Sequence, residues 1–133
     1  MKNRYAVLLA VITWLALLPG VMAAQSTTTR AEITHLLDAV ESSSCEFLRN
    51  GRWYDARQAA THLRNKYQLL SAAGQIDTAE DFIAKAASKS SFSGQPYGLR
   101  CAGGALVASA QWLTAVLARY RGALAPGEAT HPT

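Results

Sequence analysis

Apolar side chains at Ile33, Leu36, Leu37 and Val40 fall at i, i+3, i+4 and i+7, the spacing that turns one face of an α-helix inward. Thr29 and Glu32 stand where a capping box would open that helix. Ser42-Ser43-Ser44, whose hydroxyls compete for backbone hydrogen bonds, should close it. The period then changes. Between Cys45 and Tyr54 two aromatic-containing arms flank Asn50-Gly51, a pair that tolerates the positive φ of a type I′ turn, so a β-hairpin is expected. Helical spacing returns at Ala56, Ala59, Ala60, Leu63, Tyr67 and Leu70, with Asp55 and Gln58 as a capping pair and Gly74 as the stop. Asp77 or Thr78 should cap a shorter helix carrying Phe82, Ile83, Ala86 and Ala87, with Glu80 or Asp81 in its first turn. Lys89 to Pro96 reads as a loop of small residues, and Tyr97 to Cys101 as a short strand. After Gly103-Gly104, a last helix from about Ser109 to Arg121 gathers Trp112, Leu113, Val116, Leu117 and Tyr120 on one face. The expected fold class is α+β: a small, mostly helical domain of about four helices with a short β-hairpin and one further short strand.

The two ends follow other rules. Met1-Lys2-Asn3-Arg4 leads into an apolar run from Tyr5 to Leu18, then Pro19-Gly20, with small residues Val21 and Ala23 at the −3 and −1 positions of a cleavage site. Those are the parts of a secretory signal peptide, and the run is shorter than the roughly 20 apolar residues a bilayer span requires. Residues 1–23 are therefore expected to be a signal peptide, with an uncleaved anchor as the alternative. Residues 24–121 should form a single globular domain with no stable membrane span after cleavage, and 122–133, rich in Pro, Gly and Ala, a flexible tail.

Export changes how composition and cysteines are read. The net charge of +4 includes Lys2 and Arg4; without them 11 basic residues face 9 acidic ones, a net +2, too little for a dedicated nucleic-acid binder. The only cysteines, Cys45 and Cys101, should form a disulfide in an oxidising compartment, where closing so long a loop contributes roughly 4 kcal/mol in the chain-entropy model. A redox-active pair is disfavoured, because such pairs lie close together as Cys-x-x-Cys.

Four blocks carry a family resemblance: Phe47 to Gly51, Ala59 to Tyr67, Ile76 to Ile83, and Ala87 to Tyr97. In that order they resemble the YfeK-like secreted proteins, bacterial domain-of-unknown-function family 5329, over about Glu32 to Arg121. The resemblance implies a small periplasmic protein of Gram-negative bacteria. It implies no established activity, cofactor or catalytic residue.

Among the side chains that carry chemistry, a basic and aromatic set leads: Arg49, Arg52 and Trp53 on the hairpin, Arg57 and Arg64 two turns apart on one face of the second helix, and Lys66 about 200° round from Arg64 at roughly 100° per residue. An anion, such as a phosphate, a cell-wall carboxylate or an acidic protein face, would suit such a patch; a solvated face with local pairs such as Asp55 to Arg52 is the plainer reading. His62 has no recognisable partner motif for general-base work, and His35 beside it would make a weak metal case. The serines Ser88, Ser90, Ser91 and Ser93 show no nucleophile elbow, and amides from Ser91 to Gly94 could form an anion nest. The expected function is a non-enzymatic, periplasmic binding module for a cell-envelope protein or an anionic ligand, without cofactor or metal. A small hydrolase or transferase using His62 with a serine of Ser88–Ser93 is the alternative, and an inhibitor or immunity protein a further one. Oligomeric state is not legible.

Overall fold

A computed structural model provides the structure of the protein, and residues 25–125 are described. The expected signal peptide and the tail beyond Ala125 lie outside the described residues.

Helix α1 (Thr27–Ser42) runs through the middle of the domain, with Ile33, Leu36 and Val40 fully buried. Helix α2 (Ala56–Ala72) lies along one side of it. Also packed on α1 are α3 (Ala79–Phe82), which continues into a π-helical turn at Ile83–Ala87 that meets α2 as well, and α4 (Ser109–Leu124). Phe82, fully buried, meets the edge of Tyr67 from α2, and Leu113 and Leu117 of α4 close the core from behind.

A four-stranded antiparallel sheet in the order β2-β1-β3-β4 covers one end, built from β1 (Glu46–Arg49), β2 (Arg52–Tyr54), β3 (Gly98–Arg100) and β4 (Val107–Ala108). Asn50 (φ 49°) and Gly51 (φ 75°) make the expected hairpin turn between Arg49 and its cross-strand partner Arg52. β3 then pairs with β1 so that Glu46 faces Arg100. Just beyond that pair, Cys45 before β1 and Cys101 after β3 are brought together and form the disulfide, with Cα atoms 4.3 Å apart.

Several expectations are corrected. The opening cap of α1 is Ser26, whose Oγ accepts from the Thr29 amide; Thr29 instead donates its hydroxyl to the Asp77 carbonyl. Glu32, buried on α1, receives Nε and Nη2 of Arg121 from α4 at 2.8 and 2.9 Å, and Nη1 of the same guanidinium reaches Glu80 of α3. That fork ties three helices together, a pairing too distant in the chain for a local motif to reveal. The third helix tightens to a single α-turn before its π-turn, where Ser88 Oγ donates to the Ile83 carbonyl at 2.6 Å. A second further strand, β4, was not expected: two residues are too few to show a period, and Gly98 admits its approach, since a Cβ there would lie 2.7 Å from the Leu106 side chain. Helix α4 runs past Arg121 to Leu124, because a single glycine at 122 lowers helix propensity by only about 1 kcal/mol. The Asp55–Gln58 capping box of α2 stands as read, and Thr78 with Asp81 makes the same box on α3.

Candidate functional site

The hairpin turn does not project freely. Asn50 Nδ2 donates to Ser90 Oγ at 3.3 Å, and Ser93 Oγ donates to Asn50 Oδ1. Ser90, itself 4% exposed, takes the amides of Phe92 and Ser93 on the same oxygen, while the Gly94 amide returns to the Ser90 carbonyl. A bridge between Lys89 and Pro96 closes the base of this loop. Those contacts are polar and combine bonds within the loop with two to the hairpin turn, so the loop is fixed while Phe92 at its tip is left 98% exposed. Of the anion nest expected from Ser91 to Gly94, the amides of Phe92, Ser93 and Gly94 already donate within the loop.

Behind the loop, four polar side chains meet. Arg49 Nη1 lies 3.2 Å from His62 Nδ1, His62 Nε2 lies 3.1 Å from Tyr97 Oη, and Lys66 Nζ donates to Tyr97 Oη at 3.3 Å and to the Lys89 carbonyl at 2.9 Å. A guanidinium only donates, so Nδ1 is the accepting nitrogen of the imidazole and the ring proton sits on Nε2, directed at Tyr97. Burial, followed by the charges of Arg49 and Lys66, holds the His62 pKa below its ordinary value. Lys66 is likewise lowered, by burial and then by Arg49, and burial raises Tyr97 against the opposing pull of Arg49. Among the described residues neither Arg49 nor Lys66 makes an ion pair. The cluster therefore holds two positive charges, a neutral histidine and a neutral phenol, with no carboxylate.

Below it lies a cavity of about 40 Å³, rimmed by Arg49, Tyr54, Gln58 and His62 and floored by buried Leu63, Ala87 and Leu113. A wider groove of about 370 Å³ between the π-turn and α4 is lined by Glu80 and Arg121, but those two charges are already joined to each other.

The structure divides the basic and aromatic set. Arg49 turns inward to His62. Arg52 is exposed opposite it, and Arg57 is exposed on α2. Arg64 reaches across to Asp38 and Glu41 of α1, on the far side of the helix from Lys66. Trp53 lies on the outer face of the sheet under the guanidinium of Arg100, 3.9 Å from the ring centre, and Arg100 in turn pairs with Glu46. Asp55 spends its carboxylate on the Gln58 amide rather than on Arg52. Of the serine alternative, His62 bonds to Tyr97 and Arg49 and to none of the loop serines, and Ser88, Ser90 and Ser93 bond to Ile83, Asn50 and the loop backbone. His35 stacks on Tyr120, 4.2 Å between ring centres, and among the described residues no group of three His, Cys, Asp or Glu is placed to hold a metal. His131 lies outside the described residues. Tyr97 is the member that the sequence did not single out as a binding residue. Only the pairing of β3 with β1 delivers Tyr97 to His62.

A family model described as a family of unknown function, DUF5329, matches residues 27–121 and so takes in the hairpin, the loop and the whole cluster. The chain belongs to that family. A relative named uncharacterized protein YfeK, from Salmonella typhimurium strain LT2, is 43% identical over 68 residues, which cover 50% of this chain and 55% of that protein. The chain thus spans about half the length of that curated relative. No solved structure matches significantly. The disulfide suits an oxidising compartment, and among the described residues no helix is long and apolar enough to cross a membrane.

Proposed function

We propose that this family member is an exported, periplasmic binding module that acts without catalysis, and that its contact surface is the face formed by the hairpin turn and the loop Lys89–Pro96. One observation carries the reading: a large aromatic side chain, Phe92, stands 98% exposed on a loop that buried Ser90 and the Asn50 amide hold in one shape. A loop fixed in this way loses little entropy when a partner covers it, and an aromatic anchor contributes disproportionately to an interface. Arg52, exposed next to the turn, gives the same face a positive rim suited to an acidic surface of a cell-envelope protein. The absence of catalysis is supported by the engagement of both His62 nitrogens by Arg49 and Tyr97 and of Ser88, Ser90 and Ser93 by their neighbours. Inhibition of an envelope enzyme would use this same face and differ in the identity of the partner.

The test places a photocrosslinking amino acid at position 92 in intact cells, with position 69 as the control, since Leu69 is also well exposed, on α2. A protein adduct formed at 92, absent at 69 and lost with Arg52→Ala at unchanged thermal midpoint is the expected result. Equal labelling from both positions would sink the reading.

A further inference from the structure

The cluster behind the loop has an unmet requirement of its own. Arg49 and Lys66 approach one His–Tyr pair from opposite ends, within 3.2 and 3.3 Å of it, and among the described residues no acidic side chain pairs with either cation. A third cation, Arg52, is the cross-strand partner of Arg49, an arrangement of like charges that disfavours the free protein. Arg49 directs one N–H at His62, and a guanidinium has five, arranged in a planar fork that matches a carboxylate. Half-buried at the rim of the cavity, Arg49 has its charge poorly screened, so a ligand carboxylate would be held there more strongly than at an exposed arginine.

Cavity size narrows the ligand. Engineered cavities of about 150 Å³ accept benzene, whereas this one measures about 40 Å³, room for a methyl-sized group but not for a ring or an acyl chain. Its floor of Leu63, Ala87 and Leu113 is apolar. We propose that the cleft between the hairpin and α2 binds a carboxylate carried on a small apolar group, as at the end of a peptide terminating in alanine. Arg49 takes the carboxylate, Lys66 at the far end of the His62–Tyr97 pair adds positive charge at longer range, and the methyl group enters the cavity. This site is distinct from the Phe92 surface and stands or falls without it.

The experiment is an NMR titration of the purified, disulfide-bonded protein with N-acetylalanine, following the ring signals of His62 and the guanidinium signals of Arg49. N-acetylalaninamide, which lacks the charge, and inorganic phosphate, which lacks the methyl group, are the comparison probes. Saturable shifts at both residues are expected with N-acetylalanine, at an affinity at least tenfold above that of either comparison probe. Arg49→Gln should weaken binding about tenfold and Lys66→Gln, farther from the carboxylate, by less, both leaving amide signals on α4 in place. The groups facing His62 are Arg49 from β1, Lys66 from its own helix and Tyr97 from the segment before β3; a bound carboxylate offsets the two cations, so the His62 titration midpoint should move upward on saturation. Absence of saturable shifts in the wild-type protein overturns the proposal, as does an equal response to the amide or tighter binding of phosphate. The wild-type titration decides the matter even if a variant fails to fold.

Discussion

His62 is a base placed where taking up a proton is disfavoured. Its environment is partly buried and carries Arg49 and Lys66, so its pKa in the folded protein is lowered, whereas in the unfolded chain it returns to about 6.5. The unfolded state therefore binds the proton more readily. Stability from this residue is fully present above about pH 6.5 and is lost as pH falls through the lower folded value. His62→Gln should remove that part of the pH dependence: urea midpoints of wild type and variant should converge or cross between pH 8 and pH 5, with a difference in slope no greater than about 1.4 kcal/mol per pH unit. Parallel curves would show that His62 is not held neutral. Arg121 offers a contrast in which burial decides the magnitude. Its bond to Glu80 is exposed, and Glu80→Ala should cost less than about 1 kcal/mol; Glu32 is 7% exposed, so Arg121→Ala strands a buried carboxylate and should cost about 2 kcal/mol. Equal losses in chemical denaturation would mean that the Glu32 carboxylate finds water when its partner is removed.

Helix openings show how far a local motif carries. Asp55 and Gln58 read as a capping box in the sequence and form one, because nothing else competes for either side chain at the exposed start of α2. Thr29 and Glu32 have the same spacing, yet tertiary partners claim both: the Asp77 carbonyl takes the threonine hydroxyl and Arg121 takes the glutamate, which leaves Ser26 as the cap. Asp55→Ala and Ser26→Ala should each cost about 1 kcal/mol, the ordinary worth of a cap, and Thr29→Val should fall short of Ser26→Ala only if the Asp77 contact contributes little. Thermal midpoints of the three variants decide this. Helices and hairpin were legible because their signals lie within one or two turns of chain. The two-residue β4 and the π-turn were not, since pairing with β3 and the Ser88 bond to Ile83 define them and no periodicity does. The candidate site was half legible for the same reason. Arg49, His62 and Lys66 stand on the hairpin and second helix that the sequence predicts, whereas Tyr97 enters only once the sheet is assembled.

The assembly of that sheet depends on one covalent link. β1 and β3 come from opposite halves of the chain, and their pairing sets Tyr97 against His62, closes the cavity and seats the loop on the hairpin turn. Cys45 and Cys101, 56 residues apart, fasten those strands at the end where Glu46 faces Arg100. Removing a link across a loop of that length returns about 4 kcal/mol of conformational freedom to the unfolded chain. A domain of this size has only about 5 to 15 kcal/mol of stability in all, and three short ladders of β-pairing supply few contacts to replace the loss. The reduced protein, or the Cys45→Ala, Cys101→Ala pair, should therefore melt well over 10 °C lower, at roughly 4 °C or more per kcal/mol. Its sheet should also open before its helices: α2 and α4 each pack on α1 through a core that includes Ile33, Leu36, Leu63 and Leu113, while β3 runs directly into the bridge at Cys101. Hydrogen exchange on the reduced protein should show β3 and Tyr97 unprotected at temperatures where α1 remains protected. Loss of protection in both at once would mean that the sheet and the helical core form a single cooperative unit, and that the bridge stabilises the whole domain rather than the site.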